Sequence, residues 1–567
     1  MNIPITALRE DAPGTENARH LAEGFSRTES GDEIILSPGH YEVCNEQSAA
    51  LFHALMDGRI AATDYAAWKQ NKNVAMTLRD LKNVTIDGQG AVLSFSGLIQ
   101  PFSFENCRYL HIRNLRIDWT RPPFSTGSVL SSDENGLLIK VDPEYPIQGG
   151  EPVVSYQDYD IDRQRPGGYC VFSDVENLSC PVSQIALVQG PETADIAAGK
   201  RIILRHIYSF APVFHLLNCS YVSFENVTIC AGAGMGIIAH GCSDLVFDQL
   251  RVIPSAGRLM SVNCDATHFI GCSGEIVFRD CEFEAMGDDA ANVHGFYLRG
   301  TRTLSPGALE AELEVTTQDF LMEAPSPGDQ VEFVHKETLL PYASRTVWQV
   351  DSLEGQKVLL QFDGPLPDGF RPGDLLTNRS RIASLLFERC RVRNIRGRAV
   401  LIQTRNAVVQ DCVFEGCTGE GIHINTAEGW AESCACENIQ ILRNRFINCG
   451  YGHTKYCDAV GVVVGTECQS PAVGVHRRIT IRDNYMQSTR PGIVLQCARD
   501  VTISGTVFQD CPVAVQAAYT DMLAVRDCPA DLLQLGVETS HITLDGRPVT
   551  KETVHAGNEK RHSEPTQ

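Results

Sequence analysis

A short β-rich unit recurs along most of the chain, and its period constrains the fold more than any other feature. The unit reads apolar–x–apolar, a polar pair, then apolar–x–apolar, as in CSYVSFENVTI, CSDLVFDQLRV, GEIVFRDCEF, SLLFERCRV, NAVVQDCVF and ARDVTISGTVF. Matching apolar positions lie 23 residues apart from Ile229 to Val252, and 22 apart from Val392 to Phe414 and from Met486 to Phe508. Two longer steps, Val252 to Phe283 (31) and Phe414 to Phe446 (32), read as coils with extended loops. A repeat of about 20–30 residues built from β-formers signals a solenoid. The leucine signature of a leucine-rich repeat is absent. What remains is an all-β chain folded as a right-handed parallel β-helix, with Val, Ile, Phe, Leu and Cys stacked inward and Asn, Asp and Gly at the turns.

The pattern divides the chain. Residues 1–73 hold an amphipathic segment, a strand ended by Pro38-Gly39 and a helical stretch over 48–72, together suited to cap one end of the solenoid. The first coils run over 74–120 and resume over 213–295 and 381–550. Residues 121–212 and 296–380 break the period with hairpin alternation, the first around Asp133-Glu134-Asn135-Gly136, and read as two inserted small antiparallel β-barrels. A polar tail, 551–567, ends the chain.

With 48 basic against 70 acidic residues the formal charge is −22, which argues against nucleic acid and anionic membranes as partners. No basic region leads into an apolar run at the N-terminus, so the expected location is cytoplasmic as the sequence stands, with secretion open if the chain has been trimmed. The 21 cysteines form no CxxC pair and no Cys/His cluster of zinc spacing, and many fall inside strand-like runs. They read as reduced core residues. No cofactor or metal is expected.

The chemistry concentrates between Asn263 and Gly295. Asp265 precedes Asp288 and Asp289 by 23 and 24 residues, close to one coil, and residues one coil apart stack at roughly 4.8 Å. A Gly-Asp-Asp alone is an ordinary turn. Here a third carboxylate lies one coil earlier, Asn292 and His294 follow in a Gly-bounded loop, and an inserted domain departs at once. Crowded carboxylates raise one another's pKa, so one stays protonated as an acid while another acts as a base. An inverting glycosidase needs about 6.5–9.5 Å between its carboxyls and a retaining one about 5–5.5 Å, and one coil plus a lateral offset meets either.

MGDDAANVHG (286–295), preceded by NCDATHF (263–269), resembles the core of glycoside hydrolase family 110. The resemblance extends to LIQPFSFENC (98–107), DWTRPPF (118–124), PGDQVEFV (327–334), TLLPYA (338–343) and WAESC (430–434). It implies an inverting, metal-independent α-1,3-galactosidase on a β-helix with inserted barrels, acting on a galactose-terminated oligosaccharide or glycoconjugate such as blood-group B or linear α-galactosyl epitopes. It also implies a homodimer. Carried over, Asp288 is the general acid, and Asp265 and Asp289 hold the attacking water, either of them its base. His294 serves as a hydrogen-bond donor to a carboxylate or sugar hydroxyl, or as a structural histidine closing the turn, and Asn292 divides the same way. By residue type, Trp430 offers an aromatic platform for the apolar face of galactose and Glu432 an acceptor for its hydroxyls, or each serves a structural role in the loop between coils. Arg121 either lines the same cleft or, as the favoured reading, forms an ion pair within the first insertion. Two other readings fit a β-helix: a polygalacturonase-like hydrolase, whose Gly-His-Gly and Arg-Ile-Lys are missing here, and a non-catalytic glycan-binding adhesin, which has no use for three clustered carboxylates.

Overall fold

The computed structural model describes residues 2–63, 67–172, 179–189, 196–313, 324–452, 459–487 and 490–549. The polar tail expected at 551–567 lies outside them. The repeat folds into parallel rungs that stack in three rows. One row brings Phe224, Phe247, Phe278 and Phe387 into register. A second aligns Ile229, Val252, Phe283, Val392, Phe414, Phe446, Met486 and Phe508. All five sequence matches, the two long steps included, are hydrogen-bonded neighbours in this row. A third row carries Ile237, Thr267, Ala291, Val400, Ile422, Val462, Ile493 and Val515.

Side chains at alternate strand positions point inward, and those of all three rows merge into one continuous core. Phenylalanines one rung apart stack on each other, Phe224 on Phe247 at 5.3 Å and Phe247 on Phe278 at 4.7 Å between ring centres. Such pairs add about 0.5–1.5 kcal/mol beyond the area they bury. The described cysteines are free thiols, mostly buried. Several work at one turn of the coil, where each rung's backbone N–H meets the side chain of the next rung. The Cys390 N–H donates to Cys412 Sγ (3.4 Å), Cys412 N–H to Asn444 Oδ1 (3.0 Å) and Asn444 N–H to Asn484 Oδ1 (2.9 Å). A small acceptor, Cys or Asn, thereby satisfies an N–H that would otherwise be buried without a partner.

The helix Gly14–Ser26 closes the N-terminal end, laying Leu21 and Phe25 over the core, with Phe25 6.0 Å from Phe102. The two helical segments expected within 48–72, AALFHALMDG and then DYAAWKQNK, correspond to the helices Glu46–Met56 and Ala67–Gln70. Gly58, at φ 70°, follows the first helix in the left-handed conformation that ends helices.

Both insertions are antiparallel. The first is a seven-stranded sheet around its own core of Phe124, Tyr156, Ile202 and Leu204. Its opening hairpin turns between Asp133 and Gly136, as the sequence indicates. In the second, the strand Ala291–Ser305 pairs with Ala308–Leu313 and Leu375–Asn378, and the pairings run on through Lys357–Phe362, Pro341–Ser352 and Gln330–Val334 to close a ring. That first strand is shared. Ala291 to His294 form a rung of the helix, while Tyr297 onward belongs to the barrel.

Candidate active site

Two residues before each rung of the third row, the turn presents one side chain per coil: Asp265, then Asp289, then Arg398. Backbone bonds hold the column, Ala266 N–H to the Asp289 carbonyl (2.8 Å) and Ala290 N–H to the Arg398 carbonyl (3.3 Å). Asp265, Asp288 and Asp289 each bring a carboxylate oxygen within 4.8 Å of the others. The cluster read from spacing is therefore a cluster in space.

The three carboxylates stand in different surroundings. Asp289 is 1% exposed and fully engaged by Arg398: Oδ1 accepts from the backbone N–H (2.8 Å) and Nε (3.0 Å), and Oδ2 from Nη2 (2.7 Å). Burial raises its pKa and Arg398 opposes the rise. Asp288 is the most open, its side chain 32% exposed, and pairs with Arg396 at 2.7 Å. Gly397 lies between the two arginines at φ 135°, and a Cβ there would sit 2.8 Å from Asp289 Oδ1. Only glycine fits. Asp265 is buried and, among the described residues, bonded to no Lys or Arg, and its pKa rises well above the carboxylate range through burial first, then through Asp288 and Asp289.

Behind Asp265 runs a line of imidazoles. His268 Nδ1 lies 2.6 Å from Asp265 Oδ2, His268 Nε2 lies 2.8 Å from His294 Nε2, and His294 Nδ1 donates to the Gly295 carbonyl at 2.7 Å. Both histidines are buried, and burial lowers the pKa of each. His294 is thus bonded into the site through a second histidine rather than directly to a carboxylate. Glu432 reaches this line because Glu432–Ser433 pairs antiparallel with Gly295 and Phe296, where the chain leaves the helix for the barrel. Its Oε1 is 3.8 Å from His294 Nε2, and burial pushes its pKa up to about 7.

Asn292 sits in the rung between His268 and Leu401, 4% exposed, and its Oδ1 has no hydrogen-bond partner among the described residues. Trp430 is half-buried in the loop just before Glu432. Arg121 departs from expectation. Instead of an ion pair it donates to the Pro122 and Phe124 carbonyls and to Ser125 Oγ, and its guanidinium lies 5.0 Å from the Tyr145 ring. The carbonyls engage its Nη1 where the chain enters the first insertion, its Nε is left without a hydrogen bond among the described residues, and burial lowers its pKa to about 10. That insertion also braces the site from behind: Arg205 Nη1 donates to the Asn263 and Gly287 carbonyls, and Asn263 Nδ2 to the Tyr208 carbonyl at 2.8 Å.

His268, His294 and Glu432 have the ligand types for a metal ion, with their atoms within 4.8 Å of one another. The His268–His294 nitrogen separation of 2.8 Å is a hydrogen-bond distance. Two nitrogens on a four-coordinate zinc, each about 2.0–2.1 Å from the ion, stand about 3.3 Å apart. The geometry therefore suits a shared proton better than a shared ion. In the aspartate cluster, Arg396 and Arg398 already supply the opposing positive charge.

Three residues of the site, His268, Arg396 and Arg398, were not among those singled out from the sequence. His268 lies inside the NCDATHF motif. The arginines lie one coil beyond Asp288 and Asp289 in space but about a hundred residues later in sequence, because the second insertion intervenes. Aligning Phe283 with Val392, paired rungs in the structure, places Asp289 against Arg398.

Among known proteins, the family model described as "GLAA-B beta-barrel domain II" matches residues 317–376, and the one described as "Right handed beta helix region" matches 375–529. The chain is 25% identical over 439 residues to Alpha-1,3-galactosidase B of Bacteroides thetaiotaomicron, spanning 73% of this chain and 71% of that protein. It is 28% identical over 527 residues to Alpha-1,3-galactosidase A of Akkermansia muciniphila, spanning 85% and 84%. Among solved structures, the catalytic unit of a GH87 alpha-1,3-glucanase from Streptomyces thermodiastaticus aligns with 97% of this chain and 70% of its own at a TM-score of 0.44 and 12% identity.

Proposed function

We infer that the chain, a relative of the α-1,3-galactosidases of glycoside hydrolase family 110, carries its chemistry where two stacked coils meet. We propose that it is an exo-acting glycoside hydrolase releasing terminal α-1,3-linked galactose by an inverting acid/base mechanism. The observation that carries this reading is the cluster of Asp265, Asp288 and Asp289, whose oxygens lie within 4.8 Å of one another at the junction of the helix with its second insertion. Asp288, the most exposed of the three carboxyls, protonates the glycosidic oxygen. Asp265 and Asp289 hold the water that attacks the anomeric carbon from the opposite face. Glu432 accepts sugar hydroxyls, with Asn292 and His294 beside it and Trp430 against the apolar face of the ring. The substrates that fit are glycans ending in α-1,3-galactose, blood-group B or linear. The inverting assignment rests on the family resemblance, because a closest-oxygen distance is not the carboxyl separation that distinguishes the two stereochemical classes.

The test is galactose release from an α-1,3-galactosyl oligosaccharide, followed by NMR of the first-formed anomer. β-Galactose is expected. Initial α-galactose contradicts inversion, and no release at all overturns the function. Asp288→Asn is expected to lower kcat by about 10²–10⁴-fold while galactose still binds.

A further inference from the structure

We propose that His268 is the proton acceptor behind Asp265: a positioning residue that makes Asp265, rather than Asp289, the base of the hydrolysis. The inference rests on the hydrolytic reading above and assigns the one role that reading leaves between two residues. The line Gly295–His294–His268–Asp265 has a direction. A carbonyl oxygen only accepts, so the proton bonded to Gly295 belongs to His294 Nδ1. His294 is buried and neutral, which leaves its Nε2 bare, and His268 Nε2 must donate to it. His268 has then used its Nε2 proton. Between its Nδ1 and Asp265 Oδ2, 2.6 Å apart, exactly one proton fits, and two bare atoms at that distance would repel.

That shared proton removes an apparent contradiction. Burial and two neighbouring carboxylates favour the protonated form of Asp265, and a protonated carboxyl is no base by itself. With His268 behind it the group works as a relay. As water attacks, one water O–H bond breaks and the proton passes to Asp265 Oδ1. The Oδ2–H bond breaks in turn, and that proton passes to His268 Nδ1. Asp265 stays neutral and His268 becomes the cation. Meanwhile Asp288 gives its proton to the leaving oxygen, so the site keeps its net charge. Burial is the largest influence on His268 and opposes an imidazolium, as does Arg398; Glu432, Asp289 and Asp288 favour it, and the proton leaving Asp288 adds to their negative charge as the cation forms. Asp289 has no such partner: its oxygens already accept three hydrogen bonds from Arg398.

The test uses the full chain and an α-1,3-galactosyl disaccharide, comparing wild type with His268→Phe and His268→Asn. Both variants are expected to lose about 10²-fold in kcat with KM little changed. Their residual activity is expected to rise with pH, because Asp265 must then ionise to act. Azide, an anion that attacks without a base, should restore turnover in both as galactosyl azide, and should not restore it in Asp288→Asn. Full kcat in His268→Phe, or loss that azide leaves unrepaired in a variant that still binds galactose, overturns the relay and leaves the hydrolase reading intact. A wild type inert toward the disaccharide overturns both. If neither variant folds, the imidazole nitrogen NMR spectrum of the wild type decides: a neutral His294 carrying its proton on Nδ1 is expected, and the Nε2–H form breaks the direction of the line.

Discussion

Two columns of stacked side chains run along this molecule at different turns of the same coil. One is Cys390, Cys412, Asn444 and Asn484, in which each backbone N–H finds a small neutral acceptor one rung on. The other is Asp265, Asp289 and Arg398, in which two carboxylates crowd together and a guanidinium engages the second. Stacking brings like positions to within a few ångströms in both. In the first column the result is a satisfied, inert seam. In the second the same closeness leaves charge without enough solvent, so protons are held where they can be exchanged. The comparison teaches that the β-helix supplies proximity everywhere, and that residue type alone decides whether proximity becomes stability or reactivity.

The contrast is broken most severely at Arg398. Arg398→Met leaves Asp289 buried without its cation, and losing one member of a buried pair costs about 3–5 kcal/mol. Thermal unfolding should show a much lower midpoint, and galactoside hydrolysis should fall with it. An unchanged midpoint would mean that Asp289 is stable there unaided.

Glu432 tests the opposite sign. Its folded pKa, about 7, lies above the ordinary value, so it binds its proton more tightly folded than unfolded. Stability is therefore intact below the unfolded pKa and is lost as pH rises from there to about 7. Glu432→Gln should be more stable than wild type at pH 8 by something on the order of 3 kcal/mol, little different at pH 4, and less active throughout. A melting curve at each pH reads this directly; equal differences at the two pH values would remove the buried charge as the cause.

The neutral column should respond in stability alone. Asn444→Ala strips the acceptor from the Cys412 N–H, costing about 1–3 kcal/mol in denaturant unfolding. Hydrolysis by the folded fraction should match wild type. The smallest effect is expected at Phe247→Leu, which thins the aromatic stack for about 1 kcal/mol and leaves kcat unchanged.

Much of the fold was legible because stacking is a periodic constraint. Ile229 must lie beside Val252 and Val392 beside Phe414 whatever the loops between them do, and the inward positions repeat accordingly. The hairpin at Asp133 to Gly136 was legible through its local turn chemistry. The two helical segments within 48–72 were legible from their residues, and the structure adds the left-handed glycine at 58 that ends the first. The aspartates were legible because Asp265 and Asp289 are separated by one uninterrupted coil. Arg396 and Arg398 were not, since an inserted barrel stands between them and the carboxylates they serve. The ion pair expected of Arg121 was an inference from charge alone, and backbone carbonyls took its place.

By itself the sequence determined the period, and with it the architecture and the meeting of three carboxylates, because residues one coil apart have nowhere else to be. The tertiary structure decided what those carboxylates are bonded to. It set Arg398 on Asp289, left Asp288 the most exposed of the three, and put His268 behind Asp265, with Gly295 giving the line of histidines its direction. The physical reason is range: periodicity is read residue by residue, whereas burial, charge pairing and the placement of a proton depend on atoms brought together across the whole second insertion.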